Sequence, residues 1–137
     1  MKDIFQTCCL KIDNIPFPMP REVPNLLQQG ALLVDLREEL ETEILTFGIE
    51  HIIYLSHSDF EDNWTTLPLD RPLILADAVG LWSKKYAVFL RSRGYEHIAS
   101  LVSGIADWEK DGLPMKSGKY QPLNGPCPCM ITPKEKK

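Results

Sequence analysis

The stretch Leu73-Ile74-Leu75-Ala76-Asp77-Ala78-Val79-Gly80-Leu81-Trp82 constrains the fold more than any other part of the chain. The apolar run from Pro72 to Ala76 is too short for a helix and suits a parallel strand covered on both faces. Trp82, Tyr86, Phe89 and Leu90 then recur at three- and four-residue spacing, the stripe of an amphipathic helix that ends at Gly94. Only a very short loop separates strand from helix. Such a junction gathers backbone N–H groups around one point at the positive end of the helix dipole, which makes an anion cradle. The side chain at its centre belongs to Asp77.

The same alternation runs through the chain. Cys8 to Ile12 reads as an edge strand, followed by a lead-in punctuated by Pro16, Pro18 and Pro20. Glu22 to Gln29 fits a helix closed by Gly30, with Leu26 and Leu27 inward, and a strand spans Leu32 to Asp35. A helix from Glu38 to Leu45, a strand from Ile52 to Leu55 and a helical turn from Phe60 to Thr66 come next. After the central strand and helix, a strand from Ile98 to Leu101 and a helix from Gly104 to Lys110 complete the pattern. Strands separated by helical segments imply an α/β fold, here with a five-stranded, mainly parallel sheet and helices on both faces. Ligands of such sheets sit beyond the carboxyl ends of the strands, which is where the Asp77 loop lies. The chain divides into a strand and Pro-rich lead-in (1–19), the α/β domain (20–115) and a basic Cys/Pro-containing tail (116–137).

A length of 137 residues suits one compact domain with a substantial core. Residues 1–115 hold 10 basic and 18 acidic side chains, a net −8, whereas residues 116–137 hold 5 and 1, a net +4. With that acidic balance the folded part is not expected to bind nucleic acid, which usually demands a basic face. No apolar run approaches the ~20 residues that span a bilayer, so no membrane partner is expected. Met1 to Phe5 lacks the basic start and apolar middle of a signal peptide, so the expected location is cytoplasmic and the four cysteines are expected to be reduced.

Several spaced motifs carry a family resemblance. They are Leu32-Leu33-Val34-Asp35-Leu36-Arg37, Phe47-Gly48-Ile49-Glu50-His51-Ile52 with Ile53-Tyr54-Leu55, Arg93-Gly94-Tyr95-Glu96-His97-Ile98, and Leu101-Val102-Ser103-Gly104-Ile105-Ala106-Asp107-Trp108 closed by Gly112-Leu113-Pro114. With the strand and loop of Asp77 among them, they resemble the single-domain rhodanese family of sulfurtransferases over about Pro20 to Met115. The resemblance implies a rhodanese-like fold and, in active members, a loop cysteine that carries a persulfide. It also implies that Asp77 occupies that cysteine's position and that Trp82 stands where a loop arginine is common. A persulfide needs a sulfur nucleophile stabilised as thiolate, and a carboxylate cannot accept and release a sulfane sulfur. The standard transfer from thiosulfate is therefore not expected at position 77.

Three readings of Asp77 are open. It is an inert replacement whose carboxylate accepts backbone N–H bonds as an N-cap does, or part of a binding pocket in which it fills the cradle or turns outward to a ligand, or a general base. Backbone donors favour the charged form of a carboxylate, which ranks the last reading lowest. The ligand loop comprises Asp77, Ala78, Val79, Gly80, Leu81, Trp82 and Ser83, with Asp35 and Arg37 as structural support. Trp82 reads first as a packing residue, and Lys84 and Lys85 as solvent-facing. His51, His57 and His97 show no ligand spacing. Cys8-Cys9 and Cys127-Pro128-Cys129 are the candidates for metal binding, though their spacing is not that of a common zinc site. No cofactor is expected. The expected role is a non-catalytic binding or regulatory module that meets a protein or a small anionic or polar ligand at the Asp77 loop. The alternative is a sulfur-carrying, redox or metal-binding protein that uses Cys127 and Cys129 with Cys8 or Cys9.

Overall fold

The computed structural model describes residues 4–6, 9–49, 52–78, 80–102 and 104–117. Four parallel strands form the central sheet: β3 (Leu32–Asp35), β5 (Ile52–Tyr54), β6 (Leu73–Ala76) and β7 (Ile98–Ser100), in the order β5-β3-β6-β7. Leu33 lies opposite Ile74, and Ile74 opposite Ala99, so the innermost strands are apolar on both faces.

Alternation along these strands feeds two cores. Val34, Leu73, Leu75 and Ile98 join Phe60, Tyr86, Ala87 and Leu90 on one face. That face is covered by α3 (Phe60–Asn63) and α4 (Leu81–Ser92). Leu33, Ile74, Ala76 and Ala99 join Val23, Leu26 and Trp108 on the other. That face carries α1 (Val23–Gln28) and α5 (Gly104–Lys110). Each fully buried aliphatic side chain contributes about 1.5–3 kcal/mol. The α/β architecture expected from the sequence is present, with helices on both faces of a parallel sheet.

Two details refine that expectation. The expected fifth strand does not join the parallel sheet: β1 (Leu10–Ile12) pairs antiparallel with β2 (Ile15–Phe17). Asp13 and Asn14 have φ of 54° and 66°, the left-handed conformation that a two-residue hairpin turn requires. Local pairing through that turn satisfies the strand. A second unforeseen pair joins β4 (Leu45–Phe47) to β8 (Met115–Ser117) after the short α2 (Glu39–Ile44). Gly48 permits this closure, because a Cβ there would lie 2.8 Å from the Pro114 carbonyl carbon. Pro114 O also accepts hydrogen bonds from Gly48 N (2.8 Å) and Trp108 Nε1 (2.7 Å). No helix among the described residues is long and apolar enough to cross a membrane.

Candidate functional site

The site is built at the carboxyl end of β6. Leu73 to Ala76 are fully buried, so the strand is fixed until the chain leaves the sheet at Asp77. Gly80, with φ of 93°, takes the left-handed conformation that lets the chain turn directly into α4. Gly80 has no side chain to cap the helix, and the carboxylate of Asp77 does so from three residues upstream. Its Oδ1 accepts the N–H of Gly80, and its Oδ2 accepts those of Trp82 (2.5 Å) and Ser83 (3.3 Å). Asp77 is only 2% exposed. Its side chain thus fills the cradle rather than turning outward, and takes both the orphan amides and the positive end of the dipole of α4.

The backbone beneath is held as firmly. Asp77 O and Ala78 O accept the N–H groups of Ile105 (2.9 Å) and Ala106 (3.2 Å) in the first turn of α5. Gly104, at φ of 60°, allows this approach, because any Cβ there would strike Asp77 O. Ser100 Oγ and Ser83 Oγ lie 2.8 Å apart and fully buried, which ties the first turn of α4 to β7. Val79 and Ser103 lie outside the described residues.

Two neighbouring loops border the site. Leu36 N donates to Ala76 O at 2.7 Å, which fastens the end of β3 to that of β6. Asp35 and Arg37 form a buried bidentate pair: Nε to Oδ1 at 3.1 Å and a terminal guanidinium nitrogen to Oδ2 at 2.9 Å. The Arg37 guanidinium also lies 5.6 Å from the Phe47 ring centroid. On the other side, the indole of Trp82 stacks on His57 with centroids 4.3 Å apart and planes within 4°. Trp82 also packs against the core on this face. His57 Nε2 lies 3.1 Å from Glu38 Oε2, and Glu38 Oε1 accepts the Ser58 hydroxyl at 3.1 Å. Lys85 Nζ sits 5.1 Å above the Trp82 ring. Burial, and secondarily the charge of Glu61, push the phenol of Tyr86 above its ordinary value.

Glu38 and His57 were not singled out as site residues in the sequence. The available signal was positional, since Glu38 follows the carboxyl end of β3, beside β6, and His57 that of β5, one strand further out. His51 lies outside the described residues, as do Cys8, Cys127 and Cys129. Cys9 is partly buried and disulfide-bonded, with its partner sulfur outside the described residues. That corrects the expectation of a reduced thiol at Cys9. Among the described residues, no three His, Cys, Asp or Glu side chains converge as a metal ligand set.

Residues 19–111 match the family model described as the rhodanese-like domain. The chain belongs to that family. This rhodanese-like domain is 30% identical over 100 residues to the thiosulfate sulfurtransferase GlpE of Actinobacillus succinogenes, spanning 72% of this chain and 87% of the relative. The GlpE of Pseudomonas fluorescens is 32% identical over 92 residues, 65% of this chain and 80% of the relative. Among solved structures, a rhodanese-related protein from Thermoplasma volcanium superposes with a TM-score of 0.67 at 22% identity, covering 73% of this chain and 96% of the other. The rhodanese-like domain of an Anabaena protein gives 0.66 at 16% identity, with 89% and 95% coverage. These two likenesses speak to the fold alone.

Proposed function

We propose that this rhodanese-like domain lacks the thiosulfate sulfurtransferase activity for which its GlpE relatives are named, and that it acts as a binding or regulatory module. One observation carries the reading: the Asp77 carboxylate is seated in the ring of amides at the start of α4. In the family resemblance this is the place of the persulfide cysteine. Sulfane transfer needs a thiolate to attack the donor and a sulfur to hold the product. A carboxylate does neither. The seated anion also excludes a second one, since a thiosulfate at the ring would find its donors taken and a like charge within a few ångströms. The loop is thus retained as a rigid, satisfied turn. Its outer side, rather than its centre, is left to meet a partner.

The test is the production of thiocyanate from thiosulfate and cyanide by the purified full-length protein. The expected rate equals the protein-free background. Thiocyanate formation above background that scales with protein concentration would contradict the reading.

A further inference from the structure

α4 carries a second surface on the side turned away from the sheet. Ser83, Tyr86, Ala87 and Leu90 face the core. Leu81, Lys84, Lys85, Val88 and Arg91 are exposed on the opposite side. Leu81 is 70% and Val88 48% exposed. Seven residues apart, they stand on one line along the helix, about 10 Å from one another. At 3.6 residues per turn, Lys85 flanks that line on one side and Lys84 and Arg91 on the other. The cationic heads are partly held in place. Lys85 Nζ lies 5.1 Å from the Trp82 ring, and Arg91 donates to Asn14 O at 3.1 Å.

The charge here opposes that of the rest of the domain. No acidic residue occurs from Leu81 to Arg93, a stretch that holds Lys84, Lys85, Arg91 and Arg93. The remainder of residues 1–115 holds 6 basic and 18 acidic side chains, a net −12. α4 is the positive element of a negative domain, and its positive face has two bare apolar side chains at its centre.

We propose that this face of α4 docks a short acidic segment of a partner protein, with apolar side chains on Leu81 and Val88 and carboxylates on Lys84, Lys85 and Arg91. The inference rests on the binding-module reading and names the chemistry of the partner. Charge complementarity selects the occupant, and an apolar centre ringed by charge is the anatomy of a specific contact. A nucleic-acid duplex or an anionic bilayer presents an extended negative surface that would also meet the remaining net −12 and be repelled. A segment about two helical turns long touches only the patch. Leu81 begins α4, so a partner seated there also lies against the outside of the Asp77 loop.

Selection of short random peptides displayed on phage against the full-length protein tests the proposal. Recovered peptides are expected to be rich in Asp and Glu, with apolar residues three, four or seven positions apart. A synthetic copy of the most enriched peptide should shift the amide resonances of residues 81–91. Its affinity should fall at least about tenfold for Lys84→Glu/Lys85→Glu and should weaken with added salt. Leu81→Ser, which alters no charge, should also weaken it, and serves if the charge-reversed variant fails to fold. Peptides without acidic bias, shifts confined to other elements, or equal affinity for the variants would overturn the proposal. So would tighter binding of duplex DNA, of phosphatidylglycerol vesicles or of a second copy of the chain than of any peptide. Thiocyanate formation by the unaltered protein would overturn the parent reading alone, since peptide binding is scored separately.

Discussion

At the scale of the residue, Asp77 combines two roles that usually fall to different groups: it caps a helix and it occupies an anion site. Its oxygens accept the N–H groups of Gly80, Trp82 and Ser83. Caps are worth about 0.5–2 kcal/mol and hydrogen bonds to charged groups about 1.5–3. Asp77→Ala is therefore expected to lower the unfolding free energy by about 2–3 kcal/mol, read as a lower urea midpoint with an unchanged slope. An unchanged midpoint would mean that the carboxylate is not integral to the loop. The identity of this residue was plain in the sequence, and so was the cradle, because a strand of apolar residues running straight into a helix leaves few geometries. The direction of the side chain was not legible. It depends on Gly80 adopting positive φ and on Gly104 bringing α5 close beneath, and both are matters of tertiary approach. His57 was equally hidden, since its contacts with Trp82 and Glu38 join α4 and two loops far apart in sequence.

At the scale of the element, the long and strongly patterned segments were read with bounds close to those observed. β3 and α5 keep the expected ranges, and α4 ends within a residue or two of Gly94. β1 lies within the expected edge strand, but its partner β2 and the β4–β8 pair escaped, because Pro16 and Pro18 read as a lead-in and the segments of β4 and β8 fall at the end of an expected helix and at the domain's end. The exit of α4 is fixed by Tyr95, whose hydroxyl donates to Leu67 O at 2.7 Å and to Trp64 O at 3.3 Å. Burial raises its phenol above the ordinary 10.0. The folded state therefore keeps its proton to higher pH than the unfolded chain does. The increment is complete below the unfolded value and is lost as pH rises through the folded one. The thermal midpoint should thus fall on raising the pH above about 10, and Tyr95→Phe should fall less steeply. Parallel curves for the two proteins would show that Tyr95 does not contribute to this loss.

At the scale of the whole molecule, a parallel sheet with order β5-β3-β6-β7 brings the ends of β3, β5 and β6 side by side. Asp35 closes β3, and Arg37, Glu38, His57 and Asp77 follow those ends, so the architecture assembles a site irrespective of the chemistry installed in it. The family and its layered fold were legible because several motifs occur in order along one chain. The amide ring persists intact around an oxygen anion. The most direct measurement is the pH profile of alkylation at position 77 in Asp77→Cys, followed by mass at that residue. An intact ring should stabilise the thiolate and bring its half-maximal reactivity well below the ordinary thiol value of about 8.5. A profile centred on the ordinary value, or a thiol that resists alkylation throughout, would contradict the claim.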